Sequence, residues 1–375
     1  MNKKLLTLAI AGALVPFALP VTAMAGVTIS GYAHVSVDSL NSGTATNGHS
    51  YGGSYLSSNA SNLVISGDTD LGGGLKALFS AQTFLGLGSV NSTGFYDQFS
   101  NGDTYAGLEG SFGTVAAGRN DSPMKQLGRA VDLFGNEIGD SRNIISGPGG
   151  NHFDQRPGHT VFYVSPDLGG VTVKAAYTME NSAQDIVPAQ TLTSETPAGK
   201  GNATSVSAVY NHGPLLAGLA YEYHSASTYA SLTRSAESAV RAAASLNFDP
   251  VRVTALYQHD SNLGGLSSAS LNVWGLGVAY TFIPDYAVKA QYYGAAKVGS
   301  INNTGGHMVA VGLTHTFSKN ASAYLDYAKT YNQTAADYGV SSAYAGHGNA
   351  VMLPTGTTGT GANPYGVSLG MIYTF

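Results

Sequence analysis

The side chains with the most chemistry to offer lie between Asp121 and Gly158, where Asp121, Lys125, Arg129, Asp132, Glu137, Asp140, Arg142, Asp154 and Arg156 fall in one stretch. Mixed charges at this density suit either acid–base catalysis, which needs a nucleophile or histidine beside the carboxylates, or a fixed electric field across a solute passage. The nucleophile pattern Gly366-Val-Ser-Leu-Gly370 needs a strand-to-helix elbow. Here it continues as alternating residues to Phe375, so Ser368 reads as a strand residue and no enzyme is expected. The ten histidines show no His-Glu-x-x-His spacing and there is no cysteine, so neither a metal nor a cofactor is expected. His34 and His224 are expected to line a lumen, and His152 and His159 are candidates for pH sensitivity at the end of the charged stretch. The formal net charge of −5 and the absence of phosphate-binding motifs point away from nucleic acid.

The elements that must position this stretch read as strands. In Tyr365-Gly-Val-Ser-Leu-Gly-Met-Ile-Tyr-Thr-Phe375 every odd position is apolar or aromatic. Because successive side chains of a strand point to opposite faces, one face is apolar along its whole length. Val240, Ala242, Ala244, Leu246 and Phe248 likewise oppose Arg241, Ser245 and Asn247, and Leu75, Ala77 and Phe79 oppose Lys76, Ser80 and Gln82. About sixteen such runs are expected, near 27–38, 61–70, 74–85, 103–112, 114–120, 159–165, 171–179, 204–211, 215–224, 239–248, 251–259, 271–282, 286–294, 307–317, 321–331 and 364–375. Turns rich in Gly, Pro, Asn and Asp alternate with long connections, of which 41–60 and 342–363 read as solvated surface loops.

A soluble sandwich would also alternate, but only 10% of the residues are charged and strand after strand offers a full apolar face. The expected fold class is all-β: a transmembrane antiparallel barrel of about 16 strands. Lys or Arg on the lipid side costs about 2–4 kcal/mol at the midplane, so the charged face must look into a lumen that this strand number leaves wet. Lys76, Glu109, Lys174, Arg241, Arg252 and Lys289 are the expected pore-lining residues. Residues 1–25, with Lys3, Lys4, an apolar core and Ala23-Met-Ala25, read as a signal peptide, leaving 26–375 as the barrel domain. Without those two lysines, fifteen basic residues face twenty-two acidic ones, a mature formal charge of −7.

The stretch Tyr105-Ala-Gly-Leu-Glu-Gly-Ser-Phe-Gly113, Gly118-Arg-Asn120, the hairpin Val161-Phe-Tyr-Val-Ser-Pro166 with Gly169-Gly-Val-Thr-Val-Lys174, and a terminal Phe375 together resemble the general porins of Gram-negative bacteria. The resemblance implies a homotrimer in the outer membrane, among its lipid and lipopolysaccharide, whose third loop folds inward to constrict a channel for passive diffusion of ions and small hydrophilic solutes. It places Arg119 and Arg156 on a basic wall facing loop carboxylates, with Asp132, Glu137 and Asp140 as the acidic candidates and Arg129 and Arg142 interrupting them. The alternatives are an anion- or sugar-selective channel of the same fold, and a barrel adhesin or enzyme.

Overall fold

The computed structural model describes residues 26–87, 99–148, 153–181, 201–229, 232–341, 346–348 and 360–375; the expected signal peptide and His152 lie outside them. Its strands are β1 (Gly26–Asn41), β2 (Gly52–Ser58), β3 (Asn62–Gly72), β4 (Leu75–Phe84), β5 (Thr104–Gly110), β6 (Gly113–Arg119), β7 (Thr160–Val164), β8 (Val171–Asn181), β9 (Gly201–His212) and β10 (Leu215–His224). After a short hairpin of β11 (Ser227–Tyr229) and β12 (Leu232–Arg234) come β13 (Glu237–Phe248), β14 (Val251–Ser261), β15 (Leu271–Ile283), β16 (Tyr286–Ala295), β17 (Gly306–Ser318), β18 (Ala321–Asn332) and β19 (Tyr365–Thr374). Each pairs antiparallel with its neighbour, and the first and last close the ring, from Tyr32 opposite Thr374 to Asn41 opposite Tyr365. A closed ring leaves no edge, which is what a sheet in hydrocarbon requires.

The ring has sixteen staves because β2 and β3 form one: the upper half of β1 pairs with β2 and the lower half with β3. Asn59, Ala60 and Ser61 stand opposite Ala33 and His34, a bulge with Ala60 at φ +53°. The expected strand at 61–70 therefore starts too late, and the expected surface loop 41–60 shrinks to its first half. The alternation failed there because the bulged segment packs Ser57, Ser58, Asn59 and Ser61 inward, all fully buried.

Elsewhere the faces sort as the alternation requires. Tyr365, Val367, Leu369, Met371, Tyr373 and Phe375 are all exposed on the outer wall, as are Val240, Leu246 and Phe248. An apolar surface of this extent is stable only against lipid. Tight turns close one end, and at Gly113 (φ +97°) a Cβ would lie 2.2 Å from the Val164 carbonyl oxygen, so only glycine fits.

Candidate pore constriction

The segment between β6 and β7 lies inside the barrel. Ser122 caps its first helix, α1 (Pro123–Arg129), by accepting from the Lys125 N–H at 3.2 Å, and Pro123 occupies the first turn. A second helix, α2 (Arg142–Ile145), follows. Met124, Leu127, Val131, Phe134, Ile138, Ile144, Ile145 and Phe153 are each at most 1% exposed, packed against inner-wall residues such as Ala243, Leu256, Val273, Tyr293, Ala310 and Ala328. At about 1.5–3 kcal/mol per buried side chain, this apolar seam holds the loop to the wall.

The polar wall residues behind the seam are occupied in docking the loop. Arg241, fully buried, donates to both carboxylate oxygens of Asp154 at 2.9 and 2.8 Å, to the Met124 carbonyl at 2.9 Å and to Gln258 at 2.7 Å. Arg252 donates to the Ala130 carbonyl at the C-terminal end of α1 (2.7 Å), and Lys174 donates to Gln126 (2.5 Å). Lys289 pairs with Glu137, donates to the Leu133 carbonyl at 3.2 Å and sits 4.2 Å from the centre of the Phe134 ring. Gln291 joins Asp132, Leu133 and Gly139. The final connection contributes too: the Gly139 N–H donates to the Val340 carbonyl at 2.7 Å, and Ala336, Tyr338, Val340 and His347 are buried.

Several expected placements change as a result. Arg241 does not line the water path, because the loop covers it, and Lys174, Arg252 and Lys289 are turned to the loop. Glu137, Asp140 and Arg142 do not face the lumen: Asp140 is fully buried and chelated by Arg142, whose Nη2 and Nε lie 2.5 and 3.0 Å from its oxygens. Arg119 pairs with Thr104 and shares a strand face with Val115 and Ala117, which is the outer one; its guanidinium donates to the Arg156 carbonyl (3.2 Å). Lys76 and Glu109 stay exposed on the inner wall, cross-strand neighbours beside the tight turns, with Lys76 3.5 Å from Asp68. His34 and His224 point inward but are buried, the first bonded to Tyr324 and the second held between Glu222 and Glu237. His159 is exposed, and Ser368 donates to Asp38 at 2.6 Å.

A cluster of mixed charges sits where the loop leaves and rejoins the wall. Asp121 accepts a hydrogen bond from Arg129 (3.1 Å) and forms ion pairs with Lys125 (3.0 Å) and Arg156 (2.9 Å), and Arg156 also reaches Asp103 at 2.6 Å while lying over Phe84. Burial pushes the Asp121 carboxyl up, but Lys125, Arg156 and Arg129 outweigh it and hold it well below the usual carboxylate range. Burial pulls Lys125 down to about 8, with Asp121 opposing. The Arg129 side chain is 40% exposed and that of Arg156 15%, against 8% for Glu137, 1% for Asp154 and 0% for Asp140. Asp132 is the loop carboxylate left half-buried among the expected ones. Lys125 and Asp121 stood in the charged stretch from the start; Asp103, just before β5, carried no signal beyond its charge.

The closed sixteen-staved barrel matches what known proteins show. A family profile described as Gram-negative porin matches residues 7–335. Outer membrane porin protein 32 of Delftia acidovorans is 27% identical over 365 residues, covering 95% of this chain and 97% of that protein. Major outer membrane protein P.IB of Neisseria gonorrhoeae is 31% identical over 187 residues, about half of each chain. The solved structure titled anion-selective porin from Comamonas acidovorans superposes with a TM-score of 0.73 at 22% identity, covering 94% of this chain and all of that one. With the family profile spanning most of its length and the fold in agreement, the chain belongs to the Gram-negative porins.

Proposed function

We propose that this outer-membrane porin passes ions and small hydrophilic solutes by passive diffusion, without a catalytic step, and that anions are favoured at its constriction. One observation carries the preference: the loop's carboxylates Glu137, Asp140 and Asp154 are buried against cations, whereas Arg129 and Arg156 keep contact with water. A guanidinium in a narrow aqueous passage attracts anions and repels cations. The relative titled anion-selective supports the same reading. Removal of residues 1–25, a barrel domain of 26–375 and assembly as a trimer complete the proposal, in keeping with the family.

Reversal potentials in a salt gradient across a planar bilayer test it. The wild type is expected to reverse on the anion side, Arg129→Gln to move toward cations, and Arg119→Gln, on the outer face, to change nothing. A cation-selective wild type, or a shift from Arg119→Gln as large as that from Arg129→Gln, would refute the assignment.

A further inference from the structure

The last connection, between β18 and β19, turns back into the barrel. Asn332 at the end of β18 pins both of its arms: the side-chain amide donates to the Tyr338 carbonyl at 2.8 Å and to the Ala362 carbonyl at 2.7 Å, and its Oδ1 accepts from the Tyr338 N–H at 3.1 Å. Thr330 on the wall donates to the Gly339 carbonyl at 2.6 Å. Val340, 1% exposed, then packs into one apolar cluster with Leu40, Phe134, Ile138, Ala310 and Ala328.

Phe134 and Ile138 belong to the tip of the constriction loop, so the tip lies between the wall and the last connection. Gly139 shows the sandwich most directly: its N–H donates to the Val340 carbonyl at 2.7 Å, while its Cα side meets Ala310 and Ala328 of the wall. Further along, Gly346 lies against the amide oxygen of Asn136, whose amide nitrogen donates to the Tyr32 hydroxyl of the wall at 3.0 Å. The Gly348 N–H donates to Asn59 Oδ1 at 2.9 Å, and the buried His347 places Nε2 3.5 Å from Asp38, which also accepts from Ser57 and Ser368.

The root of the loop is held differently. Arg241 with Asp154, and Arg129 and Arg156 with Asp121, fix it without any help from the last connection. If the connection lifts, the Gly139 N–H loses its acceptor and Phe134 and Ile138 lose a fully buried neighbour, so the two segments are energetically coupled and the tip is the part that gives way. In a barrel of this kind the long connections face the cell exterior.

We propose that the last connection is a strap, reachable from outside the cell, that holds down the tip of the constriction loop, with Val340 as its positioning residue, and that drawing the strap outward widens the passage. Asp337, exposed between the buried Ala336 and Tyr338, is the handle. The proposal rests on the diffusion reading, which fails separately if the unmodified wild type conducts nothing.

The chain has no cysteine, so a single one takes a label uniquely. Asp337→Cys, or Ser267→Cys in the exposed connection between β14 and β15 as a control for crowding at the mouth, is treated in a planar bilayer, from the side of the long connections, with a polyethylene-glycol maleimide too large to pass the pore. Label at 337 is expected to turn quiet steps into flicker with openings above the wild-type level, and label at 267 to give no such openings. Val340→Ser is expected to raise the ratio of released to docked tip about tenfold, read as the same flicker and as faster liposome swelling by sugars at the size limit. Should Val340→Ser not assemble, the labelled Asp337→Cys channel decides alone. Quiet steps from that channel, the same response at 337 and 267, or an assembled Val340→Ser porin with the wild-type size limit would each overturn the proposal.

Discussion

Replacing Arg241 by methionine keeps most of the side-chain volume but leaves the Asp154 carboxylate buried with neither of its two guanidinium bonds, and removes donors from the Met124 carbonyl and from Gln258. Removing one partner of a buried ion pair costs about 3–5 kcal/mol. At about 1.4 kcal/mol per factor of ten, the ratio of docked to released loop falls by about two to four orders of magnitude. The apolar seam remains, so the loop is expected to sample the released state rather than leave the wall for good. Single-channel recordings should pass from quiet steps to flicker with openings above the wild-type level, and liposome swelling should admit larger sugars. Because a buried ion pair can be exchanged for apolar packing at little cost, Arg241→Met combined with Asp154→Leu should recover much of the quiet behaviour, a coupling that a double-mutant cycle measures. A quiet Arg241→Met channel with the wild-type size limit would refute the claim that this pair holds the constriction; so would a double variant noisier than the single one.

Two other outcomes follow from the loop. The Asp132 carboxyl is pushed up to about 7, by burial first and then by Asp140, against hydrogen bonds from the Phe134 N–H and Gln291 and the attraction of Arg142. A raised acid is neutral below its pKa, so lowering the pH from about 8 to about 5.5 removes the Asp132 charge while Lys125, pulled down to about 8, completes its protonation, and both changes should strengthen anion preference; a reversal potential flat over that range, or a shift as large in Asp132→Asn as in the wild type, would contradict this. Gly139 has φ +83°, and a Cβ there would lie 2.5 Å from that of Ala310 and 3.1 Å from that of Ala328. Gly139→Ala should therefore lift the loop from β17 and β18 and alter conductance, the backbone strain alone being about 1–3 kcal/mol, whereas Gly135→Ala, with nothing within 4 Å, should record as wild type.

The barrel was legible because a lipid-facing wall leaves no freedom in one of two alternating faces: Val240 through Phe248, and Tyr365 through Phe375, had to point outward together. The reading failed where that constraint lapses. Around the bulge at Asn59–Ser61 the inward residues are small and polar, so the letters resemble a loop. On β6, Ala116, Ala117 and Gly118 give no contrast between faces, and the face of Arg119 became visible only through its pairing with Thr104. In the expected surface loop 342–363 His347 is buried, and just before it Ala336, Tyr338 and Val340 are buried against the inner structure, a contact spanning about 200 residues that local pattern does not encode.

The charges of the constriction failed to read for a different reason. Sequence fixed which strand face Lys174, Arg241, Arg252 and Lys289 occupy, and that side is inward; it could not say whether water or protein meets them there. Once the apolar residues of the loop demand burial against the wall from β9 to β18, the cations beneath must be matched, since an unpaired buried charge is far costlier than a paired one. The nearest anions are the loop's own carboxylates, so Asp154 turns to Arg241 and Glu137 to Lys289. A basic wall therefore withdraws acids from the lumen, and what stays in reach of water is the remainder: Arg129 and Arg156 around the shared Asp121, the half-buried Asp132, and Asp103 on the wall beside Arg156. The field of such a loop follows from the charges that docking leaves over, which a count of those it contains does not give.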